Sequence, residues 1–221
     1  MTETKTSPFS NFWLIPTAIL AGATFWAASH MGLSGALFVA WKGLAVGLLT
    51  LCAALAAHDR NGWLLAALLA LGTLGDVLLE TSGIVIGGMA FFAGHLVSIL
   101  LYLSNRRKEG RAVAVAIVLA VPAAAFAITH DAGATVYAAG LGGMAGAAWY
   151  SRFPRSLVAT GALMFAASDL LIFAELGPLK DSILPRLTIW PLYLGGQTLI
   201  AYGVLKTLEA RKRNEDLHHR L

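Results

Sequence analysis

Eight apolar windows recur along this chain, each close to the roughly 17–25 residues that a helix needs to cross a bilayer. They are Phe12–Ala28, Ala36–Ala57, Trp63–Leu79, Val85–Leu103, Ala112–Ile128, Thr135–Tyr150, Val158–Leu176 and Ile189–Leu208. The sixth is short and rich in glycine. Brief connections leave no room for a soluble domain, so residues 1–221 read as one integral membrane domain. Residues 1–11 and 209–221 are its expected cytoplasmic tails. Composition agrees: 57% of residues are hydrophobic and 13% charged, where soluble domains carry about 25% charged residues. The expected fold is all-α, a polytopic membrane protein with eight transmembrane helices. The first window contains Pro16 and lacks a small-x-small cleavage site, so it reads as a span rather than a signal peptide.

Charge placement tests that count. Eight spans put both termini on one side, with the loops after spans two, four and six. Thirteen of the sixteen lysines and arginines fall there: Lys5, Arg60, Arg106, Arg107, Lys108, Arg111, Arg152, Arg155, Lys206, Arg211, Lys212, Arg213 and Arg220. Only Lys180 and Arg186 fall opposite, and Lys42 lies inside span two. By the positive-inside rule both termini are expected in the cytoplasm. The net charge of +4 is thereby explained by topology, and no nucleic-acid partner is expected. The single cysteine, Cys52, excludes an internal disulfide and reads as a buried, inert thiol. Glycines in spans two and six read as close helix contacts. Trp13, Trp41, Trp63, Trp149 and Trp190 fall near span ends, as interfacial anchors do.

Against this background two aspartates stand out. Span three reads LGTLGDVLLE over Leu71–Glu80, and span seven reads LMFAASDLLIFAE over Leu163–Glu175. An ionisable group at membrane depth costs at least about 2.5–3.5 kcal/mol on insertion scales, so Asp76 and Asp169 read as functional. A helical rise of about 1.5 Å per residue places Asp76 ~5–6 Å, Asp169 ~10 Å and Lys42 ~9 Å below the outer surface. Tyr193 and Gln197 fall ~6 and ~12 Å in by the same rise, with His95 deepest at ~15 Å. Tyr137 lies near the same outer face. These residues predict one polar cavity, open toward the non-cytoplasmic side or the outer leaflet.

Two carboxylates sharing a low-dielectric site resist ionising together, a division of roles suited to general acid and general base. Asp76, Asp169 and His95 are therefore the candidate catalytic residues. Lys42, Tyr193, Gln197 and Tyr137 are the candidate substrate-binding ones, with Lys42 neutralising a carboxylate or holding a phosphate. Each has a plainer reading: an Asp76–Lys42 ion pair fixing helix register, a backbone hydrogen bond for Asp169, a satisfied core histidine for His95. Glu80 and Glu175 are expected to be solvated at the outer boundary. His95, Asp76 and Asp169 supply three metal-type donors, but no spacing signature points to a metal and none is expected. The Asp-bearing spans three and seven, followed by Gly94–His95 in span four and Gly196–Gln197 in span eight, also suggest a four-plus-four parallel repeat.

Gly75–Asp76, Gly94–His95 and Ser168–Asp169, in that order and at those places in the spans, resemble the YhhN family, eight-helix membrane proteins that include lysoplasmalogenase. The family tends to place a proline after the lysine of span two, where this chain has Gly43. The resemblance implies hydrolysis of the vinyl ether bond of lysoplasmalogens to a fatty aldehyde and a glycerophospho-alcohol, without a cofactor. It implies a lysophospholipid substrate in the bilayer, no obligate protein partner, and a bacterial inner membrane as the location. From other classes, a proton-coupled small-solute transporter and a non-catalytic lysolipid-binding protein are the alternatives. Polar residues confined to the outer half argue against a transport path, which must reach both faces.

Overall fold

Short-range chemistry sets the helix ends. The computed structural model describes residues 11–218; Lys5, Arg220 and the outer ends of both expected tails lie outside them. Asp59 caps α3 (Arg60–Thr81) by accepting the Gly62 amide at 2.8 Å. Asp131 caps α6 (Ala132–Tyr150) by accepting the Ala134 amide at 2.7 Å. Both satisfy first-turn donors that otherwise lack partners. The reversal from α3 into α4 (Ile84–Ser104) takes only Ser82 and Gly83, and Gly83 adopts a φ of 88° that glycine reaches without strain. The remaining helices are α1 (Leu14–Ser29), α2 (Ala36–Ala56), α5 (Arg111–Thr129), α7 (Thr160–Glu175) and α8 (Ile183–His218). A π-helical turn, Arg155–Ala159, leads into α7.

Helices α1 to α4 pack each against the next. Helix α6 then packs on α4 with α5 outside it, and α7 pairs with α8, which closes the bundle against α1, α2 and α3. Two of these seams are backbone-to-backbone. A Cβ added to Gly161 would stand 2.6 Å from the Gly196 carbonyl oxygen, and one on Gly196 2.6 Å from that of Gly161. On α6, a Cβ at Gly146 would stand 2.7 Å from the Ala114 oxygen of α5. Small residues make such approaches between membrane helices feasible.

The protein is all-helical among the described residues, with eight α-helices, five of them long and apolar enough to cross a bilayer: α2, α3, α4, α5 and α7 with its π turn. Helix α1 is shorter at 16 residues. Helix α6 is largely glycine and alanine, and α8 interrupts its apolar run with Arg186, Thr188 and Gln197. Helix α8 also runs ten residues past Leu208, through much of the expected C-terminal tail. Leucine, valine and phenylalanine side chains are exposed around the outside, among them Leu37, Leu119 and Phe126. That suits a lipid-facing surface rather than a wet one.

The arginine-rich loops meet at one end. The Arg107 amide donates to the Tyr150 carbonyl at 2.9 Å and the Arg152 amide to that of Asn105 at 2.7 Å, tying the α4–α5 loop to the α6–α7 loop. Asn105, buried, donates to Asn61 Oδ1 at 2.8 Å and accepts from Arg211 at 2.7 Å, which joins α3 and α8 to the same knot. Below it the core is apolar, with Leu65, Leu69, Leu101, Met144 and Leu205 buried. The tryptophans divide. Trp13 and Trp63 are exposed, as anchors are, but Trp190 is buried and its Nε1 donates to the Gly22 carbonyl at 2.8 Å, pinning α8 to α1.

Candidate active site

At the other end of the bundle the polar residues gather. On α3, Gly75 leaves no side chain between the backbone and Phe91 of α4: an added Cβ would stand 2.7 Å from the Phe91 ring. The next residue, Asp76, is 2% exposed and lines a cavity of about 620 Å³. Its Oδ2 accepts the Tyr193 hydroxyl of α8 at 2.7 Å. Helix α8 is locally shaped for that contact. Pro191 interrupts its backbone hydrogen bonding two residues before Tyr193. Ser168 Oγ of α7 donates to the Ile189 carbonyl at 2.9 Å. The Phe91 and Phe165 rings stand edge-on to Tyr193, at 5.7 and 5.1 Å between centroids.

Asp169 on α7 is held in the same manner from another direction. It is 6% exposed, lines the same cavity, and accepts the Tyr137 hydroxyl of α6 at 2.6 Å. His95 of α4 is fully enclosed, with Nε2 at 3.2 Å from the Tyr137 hydroxyl oxygen. With the Tyr137 proton directed at Asp169, the hydroxyl oxygen is free to accept from His95 Nε2 in the tautomer that carries its hydrogen there. Five helices thus converge on the two carboxylates: α3 and α7 carry them, α6 and α8 supply the tyrosines, and α4 supplies the histidine behind one of them.

The cavity lies in the size range of small-molecule sites, roughly 300–1,000 Å³. Its polar members include Lys42, Asp76, Tyr137, Asp169 and Tyr193, and most of the rest of its wall is apolar. Ile84, Val85, Met89 and Val136 line it while remaining exposed, which gives the cavity an apolar opening on the flank of the bundle between α4 and α6.

Lys42 does not form the ion pair with Asp76 that was its plainer reading. Its Nζ forms an ion pair with Glu80 Oε1 at 2.6 Å, the two side chains being 13% and 41% exposed. Glu80 stands one helical turn beyond Asp76 on α3, on the same face. It therefore holds the cation while Tyr193 holds Asp76, and Glu80 stays exposed as expected at the outer boundary. Lys42 still lines the cavity. His95 and Gln197 do not line it; both line a separate, much smaller cavity of about 10 Å³ with Gly72 and Ser98, and Phe91 lines both spaces. Phe91, Trp190 and Asp131 also line the larger cavity; the sequence marked Trp190 only as an interfacial anchor and the other two not at all. The Gly75–Phe91 contact had no local sign, since the two lie on different helices. Among the described residues, no three His, Cys, Asp or Glu side chains come together as a metal site.

Comparison with known proteins adds one finding. The profile of the YhhN family matches residues 37–204, a span from the start of α2 well into α8 that includes every residue lining the two cavities. No curated protein and no solved structure matches the chain.

Proposed function

Since the chain belongs to the YhhN family, we propose that it is a membrane hydrolase cleaving the vinyl ether bond of lysoplasmalogens to a fatty aldehyde and a glycerophospho-alcohol. The observation that carries this reading is the pair of buried aspartates, each accepting a tyrosine hydroxyl, on the wall of one mostly apolar cavity. Vinyl ether hydrolysis begins with a proton delivered to the β-carbon of the alkenyl chain, which leaves an oxocarbenium ion. A carboxylic acid sheltered from water suits that step, and a second carboxylate stabilises the cation and takes a proton from the attacking water, as in glycoside hydrolysis. The hemiacetal then collapses to aldehyde and alcohol.

In this reading Asp76 and Asp169 share the acid and base roles, and Tyr193 and Tyr137 hold them in position. His95 orients Tyr137. Lys42 meets the substrate phosphate at the polar side, in exchange for Glu80. The exposed apolar opening at Val85, Met89 and Val136 admits the alkenyl chain sideways from the bilayer. All eight helices span a bacterial inner membrane, with the arginine knot and both termini in the cytoplasm and the cavity in the outer half.

The test is a mass-spectrometric assay of purified protein against alkenyl, ester and alkyl-ether lysophospholipids. Aldehyde release from the alkenyl lipid alone supports the hydrolase. Binding of all three without cleavage supports the lysolipid-binding alternative and ends the hydrolase reading.

A further inference from the structure

Two hydrogen-bonded arms run back from the substrate cavity. In one, Asp76 accepts from Tyr193, and the Tyr193 hydroxyl and the Gln197 amide sit together over Gly72, 3.5 and 2.9 Å from a Cβ built there. In the other, Asp169 accepts from Tyr137, whose hydroxyl is hydrogen-bonded to His95 Nε2. The arms leave from different helices, yet their far ends, Gln197 and His95, line the same small cavity together with Ser98. Gln197 is 2% exposed, and its Oε1 is buried with no hydrogen-bond partner among the described residues. Buried amide oxygens are seldom left so.

The space has the capacity for one guest. Its volume of about 10 Å³ matches the roughly 10–15 Å³ that a single buried water occupies. Such a water needs polar partners, and the wall supplies them: Gln197 Oε1, the His95 ring, and Ser98 Oγ, whose hydrogen already goes to the Gly94 carbonyl at 2.8 Å and whose lone pairs remain.

We propose that this cavity binds one water molecule, which donates to Gln197 Oε1 and joins the Asp76–Tyr193 arm to the Asp169–Tyr137–His95 arm. The bridge makes Gln197 and His95 positioning residues. By fixing each end against the other it sets how Tyr193 and Tyr137 present their hydroxyls to the two carboxylates. The water's presence stands on the structure alone, whereas its effect on turnover rests on the hydrolase reading above.

An experimental density map of the detergent-solubilised protein tests the site itself. A single ordered water within hydrogen-bonding distance of Gln197 Oε1 is the expected result, and a site closed by side chains overturns the proposal. Kinetics test the joining. Gln197→Met, close in volume, is expected to lower kcat roughly tenfold with KM within about twofold, an order set by one lost hydrogen bond. A Gln197→Met/His95→Phe double variant is then expected to be no slower than His95→Phe alone, since both act through one bridge. Effects that multiply would show two independent arms and overturn the joining. Melting temperatures confirm that the variants fold. Wild-type protein inactive on every alkenyl lysolipid removes the hydrolase reading, while the density still decides the water.

Discussion

Tyr193 and Tyr137 hold the two aspartates, while the lysine that could have neutralised one of them pairs with Glu80. A neutral hydroxyl can fix a carboxyl group in hydrocarbon without committing it to the charged form, whereas an adjacent ammonium would hold it ionised. Tyr193→Phe and Tyr137→Phe should each lower kcat by roughly 10–100-fold, the range set by losing one hydrogen bond to a charged group; steady-state aldehyde release measures it. Gly75→Ala forces a methyl onto the Phe91 ring at 2.7 Å. Overpacking of this kind costs typically 1–3 kcal/mol, and a lowered melting temperature together with reduced activity would record it. At this scale the two carboxylates were legible because buried charge is expensive. Lys42's partner was harder to read. Asp76 and Glu80 share one face of α3, and spacing alone does not say which of them a lysine from another helix reaches.

Helices were legible wherever an apolar run is long enough to cross a bilayer, as in α2 to α5. They were less so where polarity and helicity part. Helix α8 continues to His218 because Ala210, Arg211, Lys212 and Glu215 favour helix as strongly as apolar residues do, so hydropathy marks the membrane boundary and not the helix end. The π turn before α7 left no sequence sign. Two predictions belong to these elements. Gly161→Ala places a Cβ 2.6 Å from the Gly196 oxygen and should separate α7 from α8, with loss of folded protein in detergent as seen by size-exclusion chromatography. Glu209, just past the last apolar turn of α8, has both carboxylate oxygens buried without hydrogen-bond partners. Burial raises its carboxyl above the usual range, with Arg213, His58 and Lys212 opposing. A raised acid weakens the fold above that range and ceases to do so as pH falls through it. Glu209→Gln should therefore raise Tm at neutral pH, with the gain shrinking as the pH is lowered, which melting curves across pH would record.

The whole molecule is polarised along its long axis, with an arginine knot at one end, an apolar core beneath it and the carboxylate cavity at the other. Charge bias anticipated that division because cations partition by side of the membrane and rare polar residues by depth. The stitching of the loops through Asn105 was illegible, since it joins residues 44 and 106 positions apart. Cys52 is buried, so introduced thiols report orientation cleanly. Ser82→Cys should react with a membrane-impermeant maleimide in intact cells, and Lys108→Cys only after lysis. The proposed hydrolysis requires a carboxylic acid to deliver a solvent-derived proton to the alkenyl β-carbon. Hydrolysis of an alkenyl lysophospholipid in D₂O tests it most directly. The account predicts a fatty aldehyde carrying one deuterium on the carbon next to its carbonyl, formed by wild type and by neither Asp76→Asn nor Asp169→Asn. Aldehyde without that deuterium, or formed equally by both variants, would contradict it.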